Sequence, residues 1–213
     1  MTIKKTCSIT IPFTPLIIFF FFFISSAAAA AAAASSDDIR FIDKTCEDLR
    51  KRSVDSTSCK KWLLPLAGEL VSKNNRELFK AALQLTISTT AITAGNITEY
   101  ISRHGSAAKA PAGGALADCM DNLKDAKAWM ASSAGEMKRL TGGNQSALCI
   151  SDIQTWLSAA VTDESTCTDG LKEAGKKVDA TVNTTLQSMV APAVEVTHIT
   201  LALFNHFANI TNP

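Results

Sequence analysis

Apolar positions recur at steps of three and four residues in four long segments, and no stretch alternates as a half-buried strand would. The first segment, about residues 74–104, sets Leu78, Ala81, Leu85 and Ile92 on one stripe. The second, about 112–140, is more regular, with Leu116, Cys119, Leu123, Ala126, Met130, Met137 and Leu140 stepping as a bundle seam should. A third, about 147–165, offers Ile150, Ile153, Leu157 and Ala160, with Trp156 read on the same side as Leu157 and Ala160, and a polar turn is expected just before Cys167. The fourth, about 169–207, offers Leu171, Ala174, Val178, Met189, Val196, Leu203 and Phe207, and Pro192 is expected to kink or split it. The breaks carry helix-stopping residues: Gly105, Pro111, Gly113 and Gly114 in one, Gly142, Gly143 and Asn144 in the next. Short breaks make neighbouring helices antiparallel, so the expected fold is all-α, an up-down-up-down four-helix bundle over residues 74–207. Ahead of it, residues 37–60 hold Ile39, Ile42 and Leu49, enough for one or two short helices that need the bundle for support.

The N-terminus changes the picture by fixing the compartment. Lys4 and Lys5 precede an apolar run from Leu16 to Ile24, then Ser25, Ser26 and alanines through Ala34, the basic, apolar, small order of a secretory signal. Residues 1–34 are read as that signal, with cleavage around Ala30 to Ser36, and residues 35–213 as one domain of about 179 residues. A retained membrane anchor is the rival reading, but alanine adds little to insertion and small residues suit signal peptidase. Four Asn-x-Ser/Thr sequons, at Asn96, Asn144, Asn183 and Asn209, are glycosylation candidates on that secretory route. Loss of Lys4 and Lys5 takes the basic count from 21 to 19 against 20 acidic residues, a net charge of −1 that gives no footprint for nucleic acid.

An oxidising route makes the cysteines a framework. Five follow the leader: Cys46, Cys59, Cys119, Cys149 and Cys167, an odd number, so at least one is free or bonded between chains. Cys46 and Cys59 enclose the small N-terminal piece, and a bond there adds roughly 3 kcal/mol by loop closure. If the second and third helices are antiparallel about a turn near residue 144, Cys119 lies about 25 residues before it and Cys167 about as far after. Cys149, close to the turn, would face the region of Arg139, roughly 30 Å from Cys119 at 1.5 Å per residue, beyond the ~7 Å that a disulfide spans. The pairing expected is Cys46 with Cys59 and Cys119 with Cys167, leaving Cys149 as a free thiol.

Three segments, KTCEDLRKRSVDSTSC, GALADCMDNLKDAKAWM and IQTWLSAAVTDESTCTDG, make the chain resemble the plant invertase and pectin methylesterase inhibitors over roughly residues 37–207. That resemblance implies a four-helix bundle with an N-terminal helical hairpin, two disulfides joining first to second and third to fourth cysteine, and an unpaired fifth. The fifth usually follows the fourth, whereas Cys149 lies between the third and fourth. Invertase inhibitors of the best-known type carry a Pro-Lys-Phe loop between the second and third bundle helices; the corresponding stretch here, TGGNQSALCISD, lacks it. The resemblance therefore favours pectin methylesterase as the partner, with acid invertase as the alternative, in a monomer or a 1:1 complex. In that branch the bundle lies across the pectin cleft, and the residue before the fourth framework cysteine, Thr166, is at the contact. Asp163, Glu164, Asp125 and Lys127, read as exposed on the second and third helices, complete the candidate interface.

Catalysis has little support. His104, His198 and His206 stand beside no recognised nucleophile motif, and the eight-residue gap between His198 and His206 is not that of a helical metal site. No catalytic residue, metal ligand or cofactor is expected, and no stable membrane association once the signal is removed. A different class, a carrier holding a small apolar ligand between the helices, competes with a seam that Leu123, Met130, Leu157 and Val178 are large enough to fill.

Overall fold

A computed structural model describes residues 34–104, 112–140, 146–175 and 180–211. The signal reading of residues 1–33, the breaks at 105–111 and 141–145 with Asn144, and Val178 lie outside the described residues. Among those described there are six α-helices and no strand: α1 (Ser36–Arg50), α2 (Ser56–Leu63), α3 (Asn75–His104), α4 (Ala112–Arg139), α5 (Ser146–Ala174) and α6 (Ala180–Thr211), with a 3-10 turn at Leu64–Glu69 after α2. The chain is an antiparallel four-helix bundle, α3 to α6, with the α1–α2 hairpin packed at one end.

Local chemistry sets the hairpin. Ser35 and Asp38 form a capping box at the start of α1, and Asp55 caps α2 by accepting from Ser58 N at 2.8 Å. Between them Ser53 adopts a left-handed φ of 67°, while Val54 N reaches Leu49 O and Ser53 N reaches Arg50 O, the paired bonds of a Schellman stop. The Cys46–Cys59 disulfide crosses the two helices. Glu195 on α6 then ties the hairpin to the bundle, accepting from Lys61 Nζ and Trp62 Nε1, both at 2.7 Å. At the same end Asn74 caps α3, and Arg76 donates to Leu140 O and Met137 O at 2.6 and 3.0 Å, closing the last turn of α4.

The core has two apolar clusters. One, at the hairpin end, includes Ile42, Leu49, Leu63, Met130, Leu157 and the Phe79/Phe204 pair, whose ring centroids are 4.8 Å apart. The other gathers Ile97, Leu116, Leu123, Leu171, Leu186 and Val190 around the Cys119–Cys167 disulfide. Between them runs a polar belt: Thr86 with Thr200 at 2.7 Å, Thr90 with Glu164 at 2.8 Å, and Thr93 with Met189 O at 3.3 Å.

That belt explains where the helical stripes differ from the sequence reading. The whole α4 seam is buried as expected, but on α3 the core face is Leu78, Phe79, Ala82, Leu83, Thr86, Thr90, Thr93 and Ile97, and Ile92 is 62% exposed. Counting only apolar residues skipped the threonines, whose hydroxyls are satisfied inside the core and therefore tolerate burial. The same effect extends α5 nine residues beyond the expected end at 165. Thr162, Thr166 and Thr168 return their hydroxyls to the carbonyls four residues back, and Glu164, Cys167 and Leu171 continue the buried stripe, so Leu171 and Ala174 belong to α5 and not to α6. Nor does Pro192 split α6, which runs through it. Thr93 bonds the carbonyl of Met189 close to that proline. Although α6 is long and apolar enough to cross a membrane by length and composition, Leu186, Val190, Ala193, Val196, Leu203 and Phe204 are buried in the bundle.

Candidate functional site

The antiparallel pair α4 and α5 is held in register by Cys119–Cys167 at one end and by burial of Met137, Cys149 and Ile150 at the other. On the solvent side of their seam, one flank of α4 carries Asp125 and, four residues on, Trp129. The facing flank of α5 carries Trp156, Asp163 and Thr166 at spacings of seven and three, which stack on one side of a helix. Trp129 is 38% exposed and Trp156 is half-buried, so two of the chain's three tryptophans sit on this strip.

The strip is electrostatically tuned. Partial burial raises the pKa of Asp163 above the ordinary carboxylate value, the Trp129 indole N–H opposes that, and the neighbouring Asp125 carboxylate adds to the rise. Asp163 Oδ2 is buried and accepts no hydrogen bond. Thr166 is exposed, and its hydroxyl is turned back to Thr162 O at 2.8 Å, which leaves the methyl group as part of the outward surface.

The structure thus brings Asp125, Asp163 and Thr166 onto one surface, but not the other two expected contacts. Lys127, two residues from Asp125, is turned by about 200° around α4 and lies exposed on the opposite flank. Glu164 is a correction: it is 0% exposed, in the polar belt, and cannot touch a partner. Its position in a run of polar residues suggested a solvated face, whereas i, i+4 and i+7 spacing from Ala160 to Glu164 and Cys167 places it on the buried stripe. The sequence reading also missed Trp129 and Trp156 as surface features. The available signal was phase: Trp129 falls one residue before the buried Met130, and Trp156 one before Leu157, which turns each toward the edge of the seam.

The remaining candidates are dispersed. Cys149 is a buried free thiol; a hydrogen bond to the Glu136 carboxylate and burial both raise its pKa, which keeps it protonated and a poor nucleophile. His104 ends α3, His198 is exposed on α6, and His206, whose pKa is lowered mainly by burial, is half-buried. No cluster of three metal-ligating side chains occurs among the described residues. Asn96 and Asn209 are exposed on α3 and α6, and Asn183 is half-buried.

Comparison with known proteins agrees with this architecture. The sequence profile of the plant invertase/pectin methylesterase inhibitor family matches residues 40–203, and the chain belongs to that family, whose members are inhibitors and not enzymes. Among its relatives, a 21 kDa protein of Daucus carota is 34% identical over 65% of this chain and 70% of its own. Pectinesterase inhibitor 11 of Arabidopsis thaliana is 30% identical over 80% of this chain and 81% of its own, and pectinesterase inhibitor 10 of the same plant is 30% identical over 72% and 47%. No solved structure matches the chain.

Proposed function

We propose that this protein is a secreted inhibitor that blocks pectin methylesterase by laying the α4/α5 strip across the enzyme's substrate cleft. The observation that carries the reading is the strip itself: Trp129, Trp156, Asp163 and Thr166 exposed or half-exposed on a helix pair fixed by a disulfide. Tryptophan anchors dominate many protein interfaces. A surface whose backbone is already rigid loses little freedom on docking, so more of the contact energy appears as affinity. Support for the esterase comes from the missing Pro-Lys-Phe tripeptide in residues 141–152 and from relatives named as pectinesterase inhibitors.

Acid invertase remains the alternative partner because the family description names both enzymes. The carrier reading finds no comparable support: Leu123, Met130 and Leu157 are fully buried and fill the seam. A leader of secretory type, two disulfides and exposed sequons at Asn96 and Asn209 support delivery to the cell wall. The inhibitor domain is residues 35–213, acting alone or as a 1:1 complex.

Two surface variants test the strip. Thr166→Arg adds a long cation at its centre and Trp129→Ala removes its exposed ring, and each is expected to weaken esterase inhibition by about tenfold or more with an unchanged circular dichroism spectrum. Full inhibition by both folded variants would move the interface elsewhere.

A further inference from the structure

Glu164 is fully buried at the heart of the bundle, and among the described residues no cation acts on it. The Thr90 hydroxyl on α3 and Thr197 on α6 lie beside it, both buried, while the buried Thr86, Thr93 and Thr200 complete the polar belt with bonds of their own. At this level α4 contributes the apolar Leu123 and Ala126 to the core. The charged group that acts on it is Asp163, its neighbour on α5 and of like sign.

Its hydrogen bonding is half complete. Thr90 Oγ1 donates to Oε1 at 2.8 Å, whereas Oε2 is buried with no partner. Thr197 on α6 also lies beside the carboxyl, and its hydroxyl is shared with Ala193 O at 2.9 Å. An ionised carboxylate would hold its charge in this water-excluded setting with no cation beside it and one oxygen unpaired. The neutral acid brings no charge into that setting, keeps Oε1 as the acceptor for Thr90 and turns Oε2 into a hydroxyl.

We propose that Glu164 is held as the neutral acid in the folded protein, so that the bundle takes up a proton on folding in mildly acidic water and loses stability as the pH rises to neutral. Burial is the main cause that lifts this carboxyl from 4.5 to about 7, against the opposing hydroxyls. The folded value exceeds the unfolded one, so the folded state binds more protons between the two. The contribution is fully present below about pH 4.5 and is lost as the pH rises through about 7. His206, lowered chiefly by burial, has the opposite slope below its ordinary value of 6.5, so the reading must be a difference between variants. The inference concerns the free protein and does not depend on which enzyme it inhibits.

Thermal unfolding of the oxidised protein at pH 5 and pH 7.5, compared with Glu164→Gln, tests it. The glutamine keeps the shape of the neutral acid and stays uncharged at every pH. Wild type should lose on the order of 5–10 °C more than the variant between the two pH values. Equal pH dependence in the two proteins would overturn the proposal. If the variant does not fold, infrared titration of wild type in heavy water decides: one carboxylic-acid carbonyl band should persist above about pH 6 and fade on the way to pH 8, and its absence at pH 6 would overturn the proposal.

Discussion

Opening the two disulfides separately should cost unequal amounts, because they close loops of different length in equally buried surroundings. Cys119–Cys167 spans a sequence separation of 48 and Cys46–Cys59 one of 13. With loop-closure entropy growing as the logarithm of length, the first is worth about 4 kcal/mol at 25 °C and the second about 3 kcal/mol. All four sulfurs are buried to within 1% exposure, so replacing either pair by alanine removes similar packing, roughly 1 kcal/mol per sulfur if it counts as a methylene. The packing contributions nearly cancel in the comparison, leaving the Cys119→Ala/Cys167→Ala protein about 1 kcal/mol less stable than Cys46→Ala/Cys59→Ala. Urea unfolding of both double variants and of wild type, with slopes compared to detect altered unfolded states, reads the difference directly. A larger loss from the hairpin pair, or equal losses with equal slopes, would refute the loop-length reasoning and show that the bond acts through native packing instead.

Two further outcomes follow from single contacts. Arg76→Ala should destabilise the protein by about 1–3 kcal/mol in the same urea assay, since it strips two donors from the last carbonyls of α4, with Arg76→Lys recovering part of the loss. At Glu195, burial alone would raise the carboxyl, but Lys61, Ser58 and the Trp62 indole together hold it down to about 2, against an ordinary 4.5. Its folded value is depressed, so its contribution is present above about pH 4.5 and fades as the pH falls toward 2. Glu195→Gln should therefore cost more stability at pH 6 than at pH 3, and a cost independent of pH would contradict the assignment.

Much of the fold was legible because α4 and the residue after it keep an apolar seam from Leu116 to Leu140, and because antiparallel pairing of α4 with α5 limits which cysteines can meet. The structure bonds Cys119 to Cys167 and leaves Cys149 beside Glu136, where antiparallel packing puts them. What the pattern hid was polar burial. Thr86 and Thr200 bond each other, Thr90 bonds Glu164, and Thr93 and Thr197 bond the carbonyls of Met189 and Ala193, so all six occupy core positions that hydropathy counts as surface. That single misreading displaced the α3 stripe, ended α5 too early and put Glu164 in the interface. The strip was only partly legible for a related reason: Trp129 and Trp156 look like core residues by type, and only their phase relative to Met130 and Leu157 turns them to the rim.

The central claim, inhibition of pectin methylesterase, is tested most directly by titrating residues 35–213, expressed in an oxidising host, into pectin methylesterase and acid invertase side by side at mildly acidic and neutral pH. Stoichiometric loss of esterase activity with invertase untouched is the expected result. Loss of invertase activity alone, or no effect on either enzyme from a folded sample, would contradict it.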